Sequence, residues 1–362
     1  MGAHKSIHAD KAKLDIGVNF LQKLCCSHTL PSLSTISAAS LLSLATGRFC
    51  VKHNNLLGRS EMLDMSWHMG LHDSNLLIAF KRPLPIYVGQ PCLTLKHEMS
   101  PEVRIHGVPK HKFSHSASGN VRSSTLSVGF HYMDESSSTS DWSNTTSVNF
   151  KHIHFTNDGG RSISKDLDGF PVSFSGDSSD NMIVIKQESK YERITNDRFS
   201  YLSLQMEQGI PFHTNLLTFN RLKFVASRGL KLGPAFFSTR VTGGSIVGSI
   251  APHLAFAIGG PDSVRGYGEG AVGSGQSCIV SRNELTFPWN KGSEGVVFLD
   301  CGSDLRSGRR VPGNPGMRKR KPGSGFGIGC GIRLKYKLAY LTVDCVMNAY
   351  RQRMIYFGIN MA

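Results

Sequence analysis

Apolar and polar residues take turns along most of this chain. Leu14, Ile16, Val18 and Phe20 share one side of an extended segment, and Lys13, Asp15, Gly17 and Asn19 share the other. The pattern returns at Leu63, Met65, Trp67 and Met69, at Leu126, Val128, Phe130 and Tyr132, and at Leu202, Leu204 and Met206. A period of two marks a β-strand with unlike faces. The longest run is Ile246, Gly248, Ile250, Pro252, Leu254, Phe256 and Ile258, which predicts one long strand. Near the end, Phe326, Ile328, Cys330, Ile332, Leu334 and Tyr336 oppose Gly327, Gly329, Gly331, Arg333, Lys335 and Lys337. The closing run sets Ile355, Phe357, Ile359 and Met361 against Tyr356, Gly358 and Asn360.

Turn-rich intervals separate these runs at residues 136–143, 157–180 and 306–323. Helical periodicity is confined to one weakly amphipathic stretch, residues 33–44. A soluble sandwich would alternate too, with its apolar side on a core. Here several strands run about 10 to 14 residues, close to what crosses a bilayer at a tilt and longer than a usual soluble strand. Their polar side mixes Arg, Lys, Asp, Glu and Gly, which suits a wet lumen. Alternation and turns give roughly 15 to 17 strands. The expected fold is all-β: a transmembrane antiparallel β-barrel of about sixteen strands. Residues 1–10 read as an N-terminal tail and 11–362 as the barrel domain.

Composition narrows the setting. No stretch approaches the roughly 20 apolar residues of a membrane helix; the longest weakly polar run, 36–46, is interrupted by serines. The first ten residues lack the apolar core of a secretory signal, so a barrel here is expected in an organelle. Met1-Gly2-Ala3-His4-Lys5-Ser6 fits the N-myristoylation pattern at Gly2. The net charge of +15 would suit nucleic acid or an anionic lipid surface. Yet Arg306, Arg309, Arg310, Arg318, Lys319, Arg320 and Lys321 crowd one Gly/Pro-rich loop, and no RNP or zinc-finger pattern appears. A basic soluble nucleic-acid-binding protein is therefore the minor alternative. The eight cysteines have no CxxC spacing, and no HExxH motif occurs; they read as reduced residues without a metal. Gly266 to Ala271 formally fits G-x-G-x-x-A, but no βαβ unit surrounds it. The chain is expected to use neither cofactor nor enzyme chemistry.

One constellation carries function. Seven glycines lie between Gly259 and Gly275, giving that loop the freedom to fold back into a confined space. Arg265 would then lie desolvated, which demands a carboxylate partner. Asp300 shares a strand face with Phe298 and Gly302, and Glu284 shares one with Arg282 and Thr286. Both acids are expected to point inward, where the planar guanidinium can be held bidentately.

These residues carry a resemblance. Val264-Arg265-Gly266-Tyr267 resembles the (V/I)RG(Y/F) loop motif of the outer-membrane assembly and translocation barrels, the superfamily of BamA, Sam and the Toc channel. Phe298-Leu299-Asp300-Cys301-Gly302 is similar to that family's F-x-D-x-G strand, and Gly329-Cys330-Gly331-Ile332-Arg333 to its G-x-G-I-R strand. Residues 351–362 resemble its closing strand, with Met361-Ala362 in place of the terminal aromatic. The wording is nearest to plastid outer-envelope members. The resemblance implies a sixteen-stranded barrel, the Arg265 loop tucked against the Asp300 strand, and a role in inserting or transporting other proteins. It implies residence in the plastid outer envelope, with the mitochondrial outer membrane as alternative. The expected partners are membrane lipids, precursor proteins or other translocon subunits, and not nucleic acid. Family members usually carry soluble POTRA modules before the barrel; alternation starting near Lys11 leaves no room for one, so the expected form is POTRA-less. The competing expectation is a solute or ion pore, with lumen-facing Arg333, Lys335 and Lys337 favouring anions.

Overall fold

The structure, a computed structural model, describes residues 23–27, 47–55, 57–69, 74–82, 90–100, 108–110, 115–117, 121–134, 141–212, 216–290, 292–311, 320–336 and 339–361. The expected strand at residues 14–20, the helical stretch 33–44 and Gly2 lie outside these.

Sixteen strands form one sheet. They are β1 (Lys23–Ser27), β2 (Gly47–Asn54), β3 (Met62–Met69), β4 (Ser74–Lys81), β5 (Gln90–Ser100), β8 (Arg122–Asp134), β9 (Trp142–Thr156) and β10 (Ser179–Ile194). Then come β11 (Arg198–Ile210), β12 (Phe219–Leu232), β13 (Ala235–Gly248), β16 (Ser277–Asn290), β17 (Ser293–Ser303), β18 (Ser324–Tyr336), β19 (Ala339–Asn348) and β20 (Arg353–Met361). Two small hairpins stand apart: β6 (Val108–Lys110) with β7 (His115–Ala117), and β14 (Phe256–Ile258) with β15 (Gly273–Gly275). Each strand of the large sheet pairs antiparallel with its neighbour in chain order, and β1 and β20 are the terminal strands.

The two faces of the sheet differ as the alternation requires. On β17, Val297 and Leu299 are 45% and 41% exposed, while Val296, Phe298 and Asp300 are buried. On β18, Phe326 and Ile328 are exposed and sit opposite Cys301 and Leu299. A soluble fold would bury that many large apolar side chains on one face. An apolar outer band with a polar inner face belongs to a membrane barrel.

The connections sort by length. Residues 157–178, 249–276 and 304–323 are long and share one end; 195–197 and 233–234 are tight turns at the other. At the long-loop end, Phe155, Val172, Met182, Leu217, Ile246, Ile258, Val264 and Tyr267 form a buried cluster on the inner face. The segment between β13 and β16 reaches both His253 against Phe155 of β9 and Gly266 against Tyr356 of β20. The sheet therefore wraps around that segment.

The run from Ile246 to Ile258 is not the single strand its alternation predicts. β13 stops at Gly248, whose φ of +104° belongs to the left-handed region that favours glycine. A single turn of 3-10 helix follows at Pro252–Leu254 before β14 begins. The apolar set also faces the other way: Ile246, Ile250, Phe256 and Ile258 are buried inside, and Val247 is outside. The period was that of a strand, but these residues pack an inner core at the loop end and not the lipid.

Candidate functional site: the loop inside the barrel

Residues 259–275 leave β14, turn, and return as β15. Arg265 stands at the centre and is only 3% exposed. Its Nε donates to Asp300 Oδ2 at 2.6 Å and a terminal nitrogen donates to Asp300 Oδ1 at 2.9 Å. Its backbone N–H also reaches Asp300 Oδ2, at 3.2 Å. Asp300, fully buried on β17, is thus gripped by fork and backbone together. The guanidinium contacts two further acids, Glu284 of β16 at 2.8 Å and Asp344 of β19 at 3.2 Å. Its carbon lies 3.5 Å from the centroid of the Phe298 ring, a cation–π geometry.

The surrounding charges balance. Glu284 also accepts from Arg333 at 2.7 Å, and Arg282 lies 3.7 Å from Glu284 and 3.9 Å from Asp300. Three guanidinium groups face three carboxylates, so the cluster can be desolvated without a net charge. Burial works against the charge of Arg265, but its hydrogen bonds to Asp300 and the fields of Asp300, Glu284 and Asp344 raise its pKa above the ordinary value.

The flanking residues seat the loop. Tyr356 of β20 accepts from the Gly266 N–H at 2.9 Å through its hydroxyl, and Asn348 of β19 donates to the Gly266 carbonyl at 2.9 Å. Tyr267 is buried, and its hydroxyl donates to the Phe326 carbonyl at 3.3 Å. Val264 packs on Gly302, where an added Cβ would stand 2.6 Å from a Val264 methyl. At Gly327 an added Cβ would collide with the Arg265 carbonyl. Glycine on β17 and β18 is needed here for close approach, since the loop backbone lies directly on the strands.

The structure thus brings Val264, Arg265, Gly266, Tyr267, Glu284, Asp300 and Gly302 to one place. Arg333 joins them through Glu284, while Lys335 lies further along the same face of β18 and is exposed. Lys337 lies outside the described residues. On β20, Ile355 and Phe357 point outward at 49% and 37% exposure; Ile359 pairs with Leu341, and Ile355 with Cys345. Sequence reasoning missed Asp344, Arg282, Tyr356 and Asn348. Asp344 had a signal: it is the only acid in β19, on the side opposite Leu341, Val343, Cys345 and Met347. A lone carboxylate on the inner side of an apolar strand asks for a partner.

Comparison with known proteins agrees with this architecture. Residues 55–361 match the Omp85 superfamily domain. The chain is 53% identical over 359 residues to outer envelope protein 39, chloroplastic, of Arabidopsis thaliana, covering 99% of this chain and 98% of that protein. It is 33% identical over 353 residues to outer envelope protein 80, chloroplastic, of the same plant. That alignment covers 97% of this chain and 48% of the relative, so this chain spans about half of that relative's length. Among solved structures, BamA from Haemophilus ducreyi lacking POTRA domains 1-3 superposes with a TM-score of 0.67. The match covers 88% of this chain and 68% of that one, at 11% identity, and shows the shared barrel fold. An inward loop seated on the carboxyl-terminal strands, an apolar outer band and a match along most of its length make this chain a member of the Omp85 superfamily, among the barrels of the chloroplast outer envelope.

Proposed function

We propose that this barrel acts in the insertion or transport of proteins at the chloroplast outer envelope, by binding and templating and without covalent chemistry. The observation that carries this is the seating of the Arg265 loop on five consecutive strands, β16 to β20, ending on the terminal strand itself through Tyr356. In this reading the loop is a structural lock. It holds β20 in a fixed position, so that the edge of that strand offers unpaired backbone groups in a constant geometry. An incoming strand can add to such an edge by β-augmentation, with backbone hydrogen bonds supplying affinity independent of its sequence.

The competing reading, a pore selective for anions, rested on Arg333, Lys335 and Lys337. Arg333 is engaged by Glu284 at 2.7 Å, so its charge is balanced within the cluster. The test is site-specific photocrosslinking from Ile355 or Phe357 in isolated chloroplasts during import of newly made barrel precursors. Adducts with precursors support templating. A full yield of folded protein with no adduct from any β20 position would leave a solute pore as the better account.

A further inference from the structure

The outer face near the tight turns holds a recess that the loop does not explain. Arg193 of β10, Ser200 of β11 and Arg228 of β12 are direct neighbours in register. They share an orientation with Leu204, Met206 and Leu222, which are exposed on the outer band. Arg198 lies two residues from Ser200 on the same side of β11, about 7 Å along the strand. The three arginines and Ser200 line a recess of about 650 Å³, with Asp197 as its single acid. Among the described residues, none of the three arginines has a carboxylate within ion-pair distance. Several arginines of the inner wall are matched instead; Arg221 pairs with Glu207 at 3.1 Å and Arg333 with Glu284 at 2.7 Å.

Depth in the membrane is marked by aromatics. Trp142 and Tyr191 face each other across β9 and β10, with ring centroids 5.2 Å apart. Both point outward, one row further from the turn than Arg193. Tryptophan and tyrosine on the outer face of a barrel gather at headgroup level, so the three guanidinium groups sit at the level of lipid phosphates. On the hydrocarbon side a second recess of about 350 Å³ begins, sharing Tyr191, Ser200 and Arg228 with the first. Its floor is Leu202, Ala226 and Val241. Ala226 is small and its flanking neighbours are larger, so a shallow apolar furrow runs from the arginines into the bilayer.

We propose that this paired recess is a binding site for one anionic membrane lipid, with its headgroup on Arg193, Arg198 and Arg228 and an acyl chain along Leu202, Ala226 and Val241. Planar guanidinium forks suit an oxyanion headgroup, and three of them on one side exceed the single charge of Asp197. A free phosphate would use the first recess only. A lipid uses both.

The test takes the full-length barrel, extracted in a non-ionic detergent and incubated with phosphatidylglycerol or phosphatidylcholine. Retained lipid is counted by native mass spectrometry. We expect one phosphatidylglycerol held in preference to phosphatidylcholine. Arg193→Gln/Arg198→Gln/Arg228→Gln should weaken that retention about tenfold or more, since each basic residue at a membrane surface adds to anionic lipid attraction. Arg306→Gln/Arg309→Gln/Arg310→Gln removes the same charge at the opposite end and should leave it unchanged. Ala226→Trp, which fills the furrow and keeps every arginine, should also lower it. Cold-SDS gel mobility establishes that each variant is folded; should the triple variant fail there, Arg228→Gln alone is compared. Equal retention of the two lipids, or equal loss from both triple variants, overturns the proposal. Inorganic phosphate displacing the lipid, with Ala226→Trp inert, would reduce the site to a phosphate recess and overturn it as well.

Discussion

Asp300 is fully buried, and Arg265 is the donor that satisfies both of its oxygens. Truncating the arginine would leave that carboxylate uncompensated in the barrel interior, a change that costs about 3–5 kcal/mol in comparable buried pairs. We therefore expect Arg265→Ala to lower the temperature at which the barrel loses its compact cold-SDS mobility. Arg265→Lys should rescue little of this, because an ammonium cannot hold both oxygens of Asp300 while also meeting Glu284 and Asp344. Equal mobility transitions for wild type and Arg265→Ala would remove the lock from the account. Tyr356→Phe is a milder test: it deletes the hydroxyl that accepts from Gly266, and burying that N–H unpaired costs about 1–3 kcal/mol. At this scale half of the cluster was legible. Arg265, Asp300 and Glu284 could be found because a desolvated arginine needs acids and alternation gave each acid its side. Tyr356 and Asn348 lie 80 to 90 residues away from the loop along the chain, and no spacing rule connects groups that only the curvature of the sheet brings together.

Strands were read from period two, and that reading works wherever one side meets lipid. It fails where both sides are filled. Residues 246–258 alternate well, yet chain direction changes at Gly248 because the inner side there packs against Phe155, Leu217 and Phe219 at the barrel mouth. An alternation rule cannot tell an apolar side that faces lipid from one that faces an inner core. The bare inner sides of β17 and β18 were legible as glycine but not as a seat. Their role follows from contact: Gly302 lies under Val264 and Gly327 under Arg265. A side chain at Gly327 would have to lift the loop backbone away from the strand. Gly327→Val should therefore release the loop while leaving the outer surface of β18 intact. The measurement is limited proteolysis between residues 259 and 275 in detergent: we expect new cleavage in the variant and protection in the wild type. Protection in both would mean that the loop is held from elsewhere.

The whole molecule combines a wall and an occupant. The inward segment takes up part of the lumen at the long-loop end, together with the packed residues 157–178. Replacing residues 260–270 by a short glycine-serine link should enlarge single-channel conductance in planar bilayers several-fold, and the open state should become longer. Unchanged conductance would mean that the narrowest passage lies elsewhere along the barrel.

The loop's attachments are lopsided. Strands β16 to β20 are tied to it by ion pairs and hydrogen bonds, and among the described residues its buried cluster draws on β9, β10, β12, β13 and β16 and on none from β1 to β5. Mechanically, that makes one half of the hoop a stiff jamb and the other half a compliant leaf. Bending displacements will be larger in the leaf, where backbone ladders and a few half-buried side-chain contacts such as Lys81 with Asp64 are what resist them. Any parting beside β20 would then proceed by the amino-terminal strands swinging away from a stationary post, and a client threading into that gap would meet the same rigid surface each time.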